Sequence, residues 1–161
     1  MSHKSFRALT DELLSLAGAA DSDELYATVN LTVDGVSFSL MHGGAEDEGS
    51  IVMFCDFGVP PAERNAKVVK ALLVANIAAF DSAGRESFCM NHASGHVLAS
   101  SVLPMRNASG QLFLELLRHY AAQAKRWQDI YFFGMDSETL AAAHASNMGK
   151  MSAVFKSLLD G

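Results

Sequence analysis

Near the N-terminus apolar residues fall on a helical period: Phe6, Leu9, Leu13, Leu16 and Ala20 recur at steps of three and four, with Leu14 and Ala17 widening the stripe. That spacing predicts an amphipathic helix over 6–20, closed by Gly18 and the polar run Asp21-Ser22-Asp23-Glu24. The period then changes to two. From Thr28 to Met41, polar and apolar residues alternate on both sides of Asp34-Gly35. An Asp-Gly pair between alternating strands predicts a type I′ hairpin, because both central residues of that turn need positive φ. This turn sets Val33 opposite Val36, Leu31 opposite Phe38 and Val29 opposite Leu40, all apolar and on one face. Thr28, Asn30, Thr32, Ser37 and Ser39 share the other face. A slip of one residue would turn every apolar side chain to water, so the register is well specified.

A polar, glycine-rich loop over 43–49 leads to a third strand, Ile51 to Phe57, which Gly58-Val59-Pro60-Pro61 closes. Proline before a first turn that carries Glu63 predicts a second helix over 62–80. From Val68 to Phe80 only Lys70 and Asn76 are polar, so this helix is apolar almost all round. Such a helix has to be covered on more than one side. The sheet covers one side, and either a second subunit or the third helix of the same chain covers the other. Asp81 to Glu86 reads as a turn, and Ser87–Asn91 with His96–Leu103 as a second hairpin around Ala93-Ser94-Gly95. Asn107, Ser109 and Gly110 open a third helix whose apolar residues run from Leu112 through Trp127 to Tyr131. Two short helical patterns follow, Glu138–Ala145 and then Met148, Met151, Val154, Phe155 and Leu158, with Asn147 and Gly149 weakening the join.

The order is helix, three strands, helix, two strands, helix and tail. Strands joined by tight turns beside segregated helices predict an α+β fold with an antiparallel sheet of about five strands and three main helices. The division expected is an α+β domain over 1–133 and a C-terminal helical extension over 134–161.

The chain has 161 residues, enough to bury a core without disulfides or a structural metal. A net charge of −6, with Lys125-Arg126 the longest basic cluster, argues against nucleic acid, which needs a basic patch. With no stretch of about 18 uninterrupted apolar residues, no membrane span is expected. The N-terminus lacks the apolar stretch of a signal peptide, so a cytoplasmic location is expected. Cys55 and Cys89 both lie in predicted strands and read as small buried thiols of a reducing compartment, with a disulfide between them the alternative.

Candidate chemistry is thin. Gly43-Gly44 is the sole adjacent glycine pair, and the acidic Glu46-Asp47-Glu48 behind it would repel a phosphate. No Gly-x-Ser-x-Gly elbow is present, and Ser109 reads as a helix cap. Cys89 with His92 or His96 can be drawn as a thiol–imidazole pair or, with His42, as a metal site. The second close ligand pair of a structural zinc site is missing, and the histidines read as solvated turn residues. No cofactor, metal or catalytic residue is assigned, and the eight methionines read as adaptable packing.

Several local patterns then carry a resemblance. These are the first helix with Phe6, Leu9 and Leu13, the strand ending in Gly58-Val59-Pro60-Pro61, the run Lys70-Ala71-Leu72-Leu73-Val74-Ala75-Asn76, and Leu112 to Trp127. Over about 5–132, in element order above all, the chain resembles the class I type III secretion chaperones of the Tir-chaperone (CesT) family. The resemblance implies a homodimer that uses no ATP and binds an N-proximal segment of a secreted effector in extended form, keeping it soluble and export-competent. It further implies that Leu72, Val74, Ile77 and Phe80 serve dimerisation, and that Phe6, Leu9, Leu13, Phe38, Met53 and Phe57 serve the effector. Ordinary core packing is the other reading of all ten. Two rival functions stand beside it: a dimeric α+β adaptor or regulator of another protein, and a sensor or enzyme with a closed apolar pocket.

Overall fold

The computed structural model describes residues 6–18, 28–43, 49–81, 86–105 and 108–132, with the side chains of 78–81, 131 and 132 outside that set. The expected C-terminal extension, 134–161, lies outside the described residues. The elements in chain order are α1 (Phe6–Ala17), β1 (Thr28–Val33), β2 (Val36–Gly43), β3 (Ser50–Gly58), a 3-10 turn (Ala62–Arg64), α2 (Asn65–Asp81), β4 (Glu86–Met90), β5 (Val97–Pro104) and α3 (Gly110–Trp127), which runs into a wider turn over Gln128–Phe132. All five strands form one antiparallel sheet in the order β1-β2-β3-β5-β4. The architecture is the α+β arrangement read from the chain.

The first hairpin forms as its pattern dictates. Asp34 and Gly35 both have positive φ, 50° and 79°, and the ladder pairs Val33 with Val36, Leu31 with Phe38 and Val29 with Leu40. The inward face continues through Ile51, Met53, Cys55 and Phe57 of β3, Val97, Ala99, Ser101 and Leu103 of β5, and Glu86 and Phe88 of β4. α1 and α3 pack against each other over this face. They bury Leu9, Leu13, Phe113, Leu116, Leu117 and Tyr120 in a single core with it.

β3 ends in a bulge. The register shifts between Asp56 and Gly58, Gly58 takes φ +88°, and its N–H donates to the Asp56 carboxylate at 2.8 Å. Phe57, beside this bulge, meets Phe88 and Trp127 edge-on at 5.5 and 5.7 Å, while Phe88 and Trp127 stack at 5.6 Å. This aromatic trio ties β3, β4 and α3 together. α3 starts as expected, with the Ser109 hydroxyl accepting the Leu112 N–H at 3.2 Å.

Four expectations need correction. The second helix opens with a 3-10 turn before Asn65, because the Pro60-Pro61 pair holds the chain extended up to Ala62. Glu86 is the first residue of β4 and is buried, since its pairing with Ser101 carries the ladder one step beyond what its charge suggests. Cys89 is exposed, because Glu86 and Phe88 claim the inward positions and alternation sends Cys89 to the opposite face from Cys55. Tyr131 belongs to the wide turn rather than to α3.

Candidate functional site

α2 lies against β4 at one edge of the sheet. Its near side buries Val68, Leu72 and Ala75. From the same side, the Asn76 amide Nδ2 donates to the Phe88 carbonyl at 2.9 Å, and its Oδ1 accepts the Phe88 N–H at 2.6 Å. A side-chain amide thus replaces a neighbouring strand on the outer edge of β4. Closing an edge in this way blocks unwanted strand pairing.

The far side of α2 is apolar and uncovered among the described residues. Val69, Leu73 and Ile77 follow one another at four-residue steps and form a stripe, with Val74 beside it. Leu73 is 62% exposed, Ile77 71% and Val74 49%. Exposure of that size on consecutive turns of one helix is uncommon, since contiguous apolar patches are seldom left bare. Of the four residues expected at a dimer contact, Val74 and Ile77 lie on this side. Leu72 is buried beneath it, and the side chain of Phe80 lies outside the described set. Sequence reasoning did not single out Leu73 and Val69, because apolar residues at helical spacing occur on both sides of α2.

At the opposite edge of the sheet, β1 is different. Among the described residues, no hydrogen bond reaches its outer edge, and Asn30 and Thr32 point into solvent from its open face. A row of unpaired backbone groups is a template for an added strand. None of the six residues expected to meet an effector is exposed at this edge. Phe6, Leu9, Leu13, Phe38, Met53 and Phe57 are all buried, packed between the sheet and α1 and α3. The Phe6 ring meets His42 edge-on at 5.6 Å. The large apolar side chains exposed on these elements are Leu16 of α1 and Met41 of β2.

Groups capable of chemistry are dispersed. The Cys55 thiol is free, buried and pushed up by burial; Cys89 is free and exposed, and what burial it has also raises it. His96 is no bare turn residue, since its Nδ1 sits 2.8 Å from both Asp56 carboxylate oxygens and fastens the second hairpin to the β3 bulge. His92 is exposed in the turn. Among the described residues, no group of three His, Cys, Asp or Glu side chains is placed to hold a metal ion. No described helix is long and apolar enough to cross a membrane.

A strand edge and an apolar helix face, both open among the described residues, mark a small α+β protein with surfaces suited to other polypeptides. The family model of the Tir chaperone protein (CesT) family matches residues 16–128, and the chain belongs to that family. As a member of it, the chain is a type III secretion chaperone. Among solved structures, a chain of the crystal structure of the ExsC–ExsE complex is similar in fold. The TM-score is 0.60 at 15% identity, covering 82% of this chain and 100% of that one. None of the curated proteins matches the sequence.

Proposed function

We propose that the chain acts in the cytoplasm, without catalysis or ATP, as a homodimer that holds an N-proximal segment of a secreted effector in extended form. Holding that segment away from other apolar surfaces keeps it soluble and ready for export. The observation that carries this reading is the outer edge of β1, open among the described residues, in a sheet whose other edge is clamped at Phe88 by Asn76. An extended segment satisfies its backbone by adding a strand there, and its side chains then alternate between the face of the sheet that α1 covers and the opposite face.

In this reading α1 and β1–β3 form the effector surface. Leu16 and Met41 offer it apolar contacts, and Phe6, Leu9, Leu13, Phe38, Met53 and Phe57 set its shape from below. Val69, Leu73, Val74 and Ile77 form the dimer contact, with Leu72 as its floor and Phe80 at its end. Pairing two copies through this stripe removes from water the largest apolar exposure on any described helix. The C-terminal extension, 134–161, is proposed as a separate unit from the 1–133 domain.

The test is co-expression with N-proximal segments of candidate effectors encoded at the same locus, followed by size-exclusion chromatography with light scattering. Two chaperones per effector segment is the expected stoichiometry. A monomer that retains none of the segments would remove both halves of the reading.

A further inference from the structure

Glu86 opens β4 from inside the core. Its residue is 6% exposed, and its neighbour across the ladder is Ser101, itself buried. Tyr120, fully buried on α3, lies against both from the helical layer. Glu86 Oε1, the Ser101 hydroxyl and the Tyr120 hydroxyl are all sealed from solvent; none makes a well-formed hydrogen bond, and the Tyr120 hydroxyl lies near enough to act on both of the others. The one other titratable group acting on this cluster is the Cys55 thiol from β3. No cation from any described element acts on the carboxyl.

The chemistry of such a niche depends on one proton. Protonated, the carboxyl has an O–H to donate and an oxygen to accept, so it can join two hydroxyls in a closed set of bonds after small rotations. Ionised, it is an acceptor alone, held only by what the Tyr120 and Ser101 hydroxyls can donate, and a buried charge with no cation beside it is costly in a core. The position also has leverage. Glu86 stands two residues before Phe88, whose backbone carries the Asn76 clamp and whose ring stacks on Trp127. Moving the carboxylate to water means lifting the start of β4, and with it the seat of α2.

We propose that the Glu86–Ser101–Tyr120 cluster is a proton-controlled latch, closed when Glu86 is protonated and released on ionisation, that sets how firmly β4 and α2 are held to the body of the protein. Burial pushes Glu86 up to about 7, from an ordinary 4.5, while the Tyr120 hydroxyl pulls the other way. The latch is therefore poised at neutrality. A carboxyl raised in the folded state contributes stability that is fully present below its unfolded value and is lost as pH rises through the folded value, so the window runs from 4.5 to about 7. Between pH 5 and pH 8 the linkage raises the open fraction of β4 by about 70-fold, of which about tenfold falls between pH 6 and pH 8.

The experiment is amide hydrogen exchange by NMR on the full chain, at pH 5, 6 and 8, converted to protection factors to remove the intrinsic pH dependence. The Phe88 amide is the reporter, because its hydrogen bond goes to Asn76 rather than to a strand. Carbon-13 shifts of the Glu86 carboxyl give its midpoint directly. In the parent chain the Phe88 protection factor falls about 70-fold from pH 5 to pH 8, and the carboxyl titrates near 7. In Glu86→Gln the protection becomes flat with pH. In Tyr120→Phe, which removes the group that lowers Glu86, the midpoint moves upward; this second variant keeps the test open should Glu86→Gln fold poorly. A carboxyl that titrates near 4.5, or Phe88 protection that does not change with pH in the parent chain, overturns the latch.

Discussion

Asn76 of α2 holds the backbone of Phe88 in β4 at both ends of one residue, donating to its carbonyl at 2.9 Å and accepting its N–H at 2.6 Å. Replacing it by alanine removes two hydrogen bonds from the backbone of a half-buried strand residue. Asn76→Ala is expected to lower stability by about 2–3 kcal/mol, read as a shift in the urea midpoint. Asn76→Asp keeps the acceptor and loses the donor, and is expected to cost part of that.

A charge on the outer side of α2 separates association from folding. Leu73 and Ile77 are exposed in the single chain, so Leu73→Glu or Ile77→Glu leaves the helical content unchanged. In the dimer the same carboxylate would be buried against apolar side chains, weakening association by at least about 100-fold. Light scattering across a dilution series checks this, with circular dichroism as the control for folding.

The core residues beneath the effector surface behave in the opposite way. Leu13 is fully buried between α1 and the sheet, and Leu13→Ala is expected to cost about 2–5 kcal/mol. Its effect on partner capture follows from lost folding. Capture per folded molecule, after correction for the folded fraction, is expected to stay unchanged for a segment that contacts Leu16 and Met41.

The two thiols differ in reach. An aromatic disulfide reagent is expected to modify Cys89 alone in the native chain, and both thiols once the chain is unfolded in guanidinium. Burial raises Cys89 above its ordinary value, so the native reaction accelerates more steeply above neutral pH than that of a free thiol. Equal reactivity of both cysteines in the native state would contradict the alternation of β4.

Much of the fold was legible from local pattern alone. The change from a three-to-four residue period to strict alternation marks where α1 ends and the sheet begins, and Asp34-Gly35 sets the first hairpin's register because few other pairs accept two positive φ values in succession. Ser109 declares its cap for a comparable reason: a hydroxyl just before a helical stretch has an orphan N–H within reach. The family-bearing order of elements follows from these signals. The surfaces were harder. A helix that is apolar all round gives no periodic sign of which side it turns outward, so separating Leu72 from Leu73 waited for β4 to take its place. A glutamate ahead of a strand reads as a turn until cross-strand pairing with Ser101 draws it inward. Asp56 and His96 lie forty positions apart, and only the β3–β5 register brings them together. Periodicity reports which positions on one element share a face. What covers that face, which edge stays open and which distant polar groups meet are decided by packing between elements, where the determining neighbours are remote in the chain.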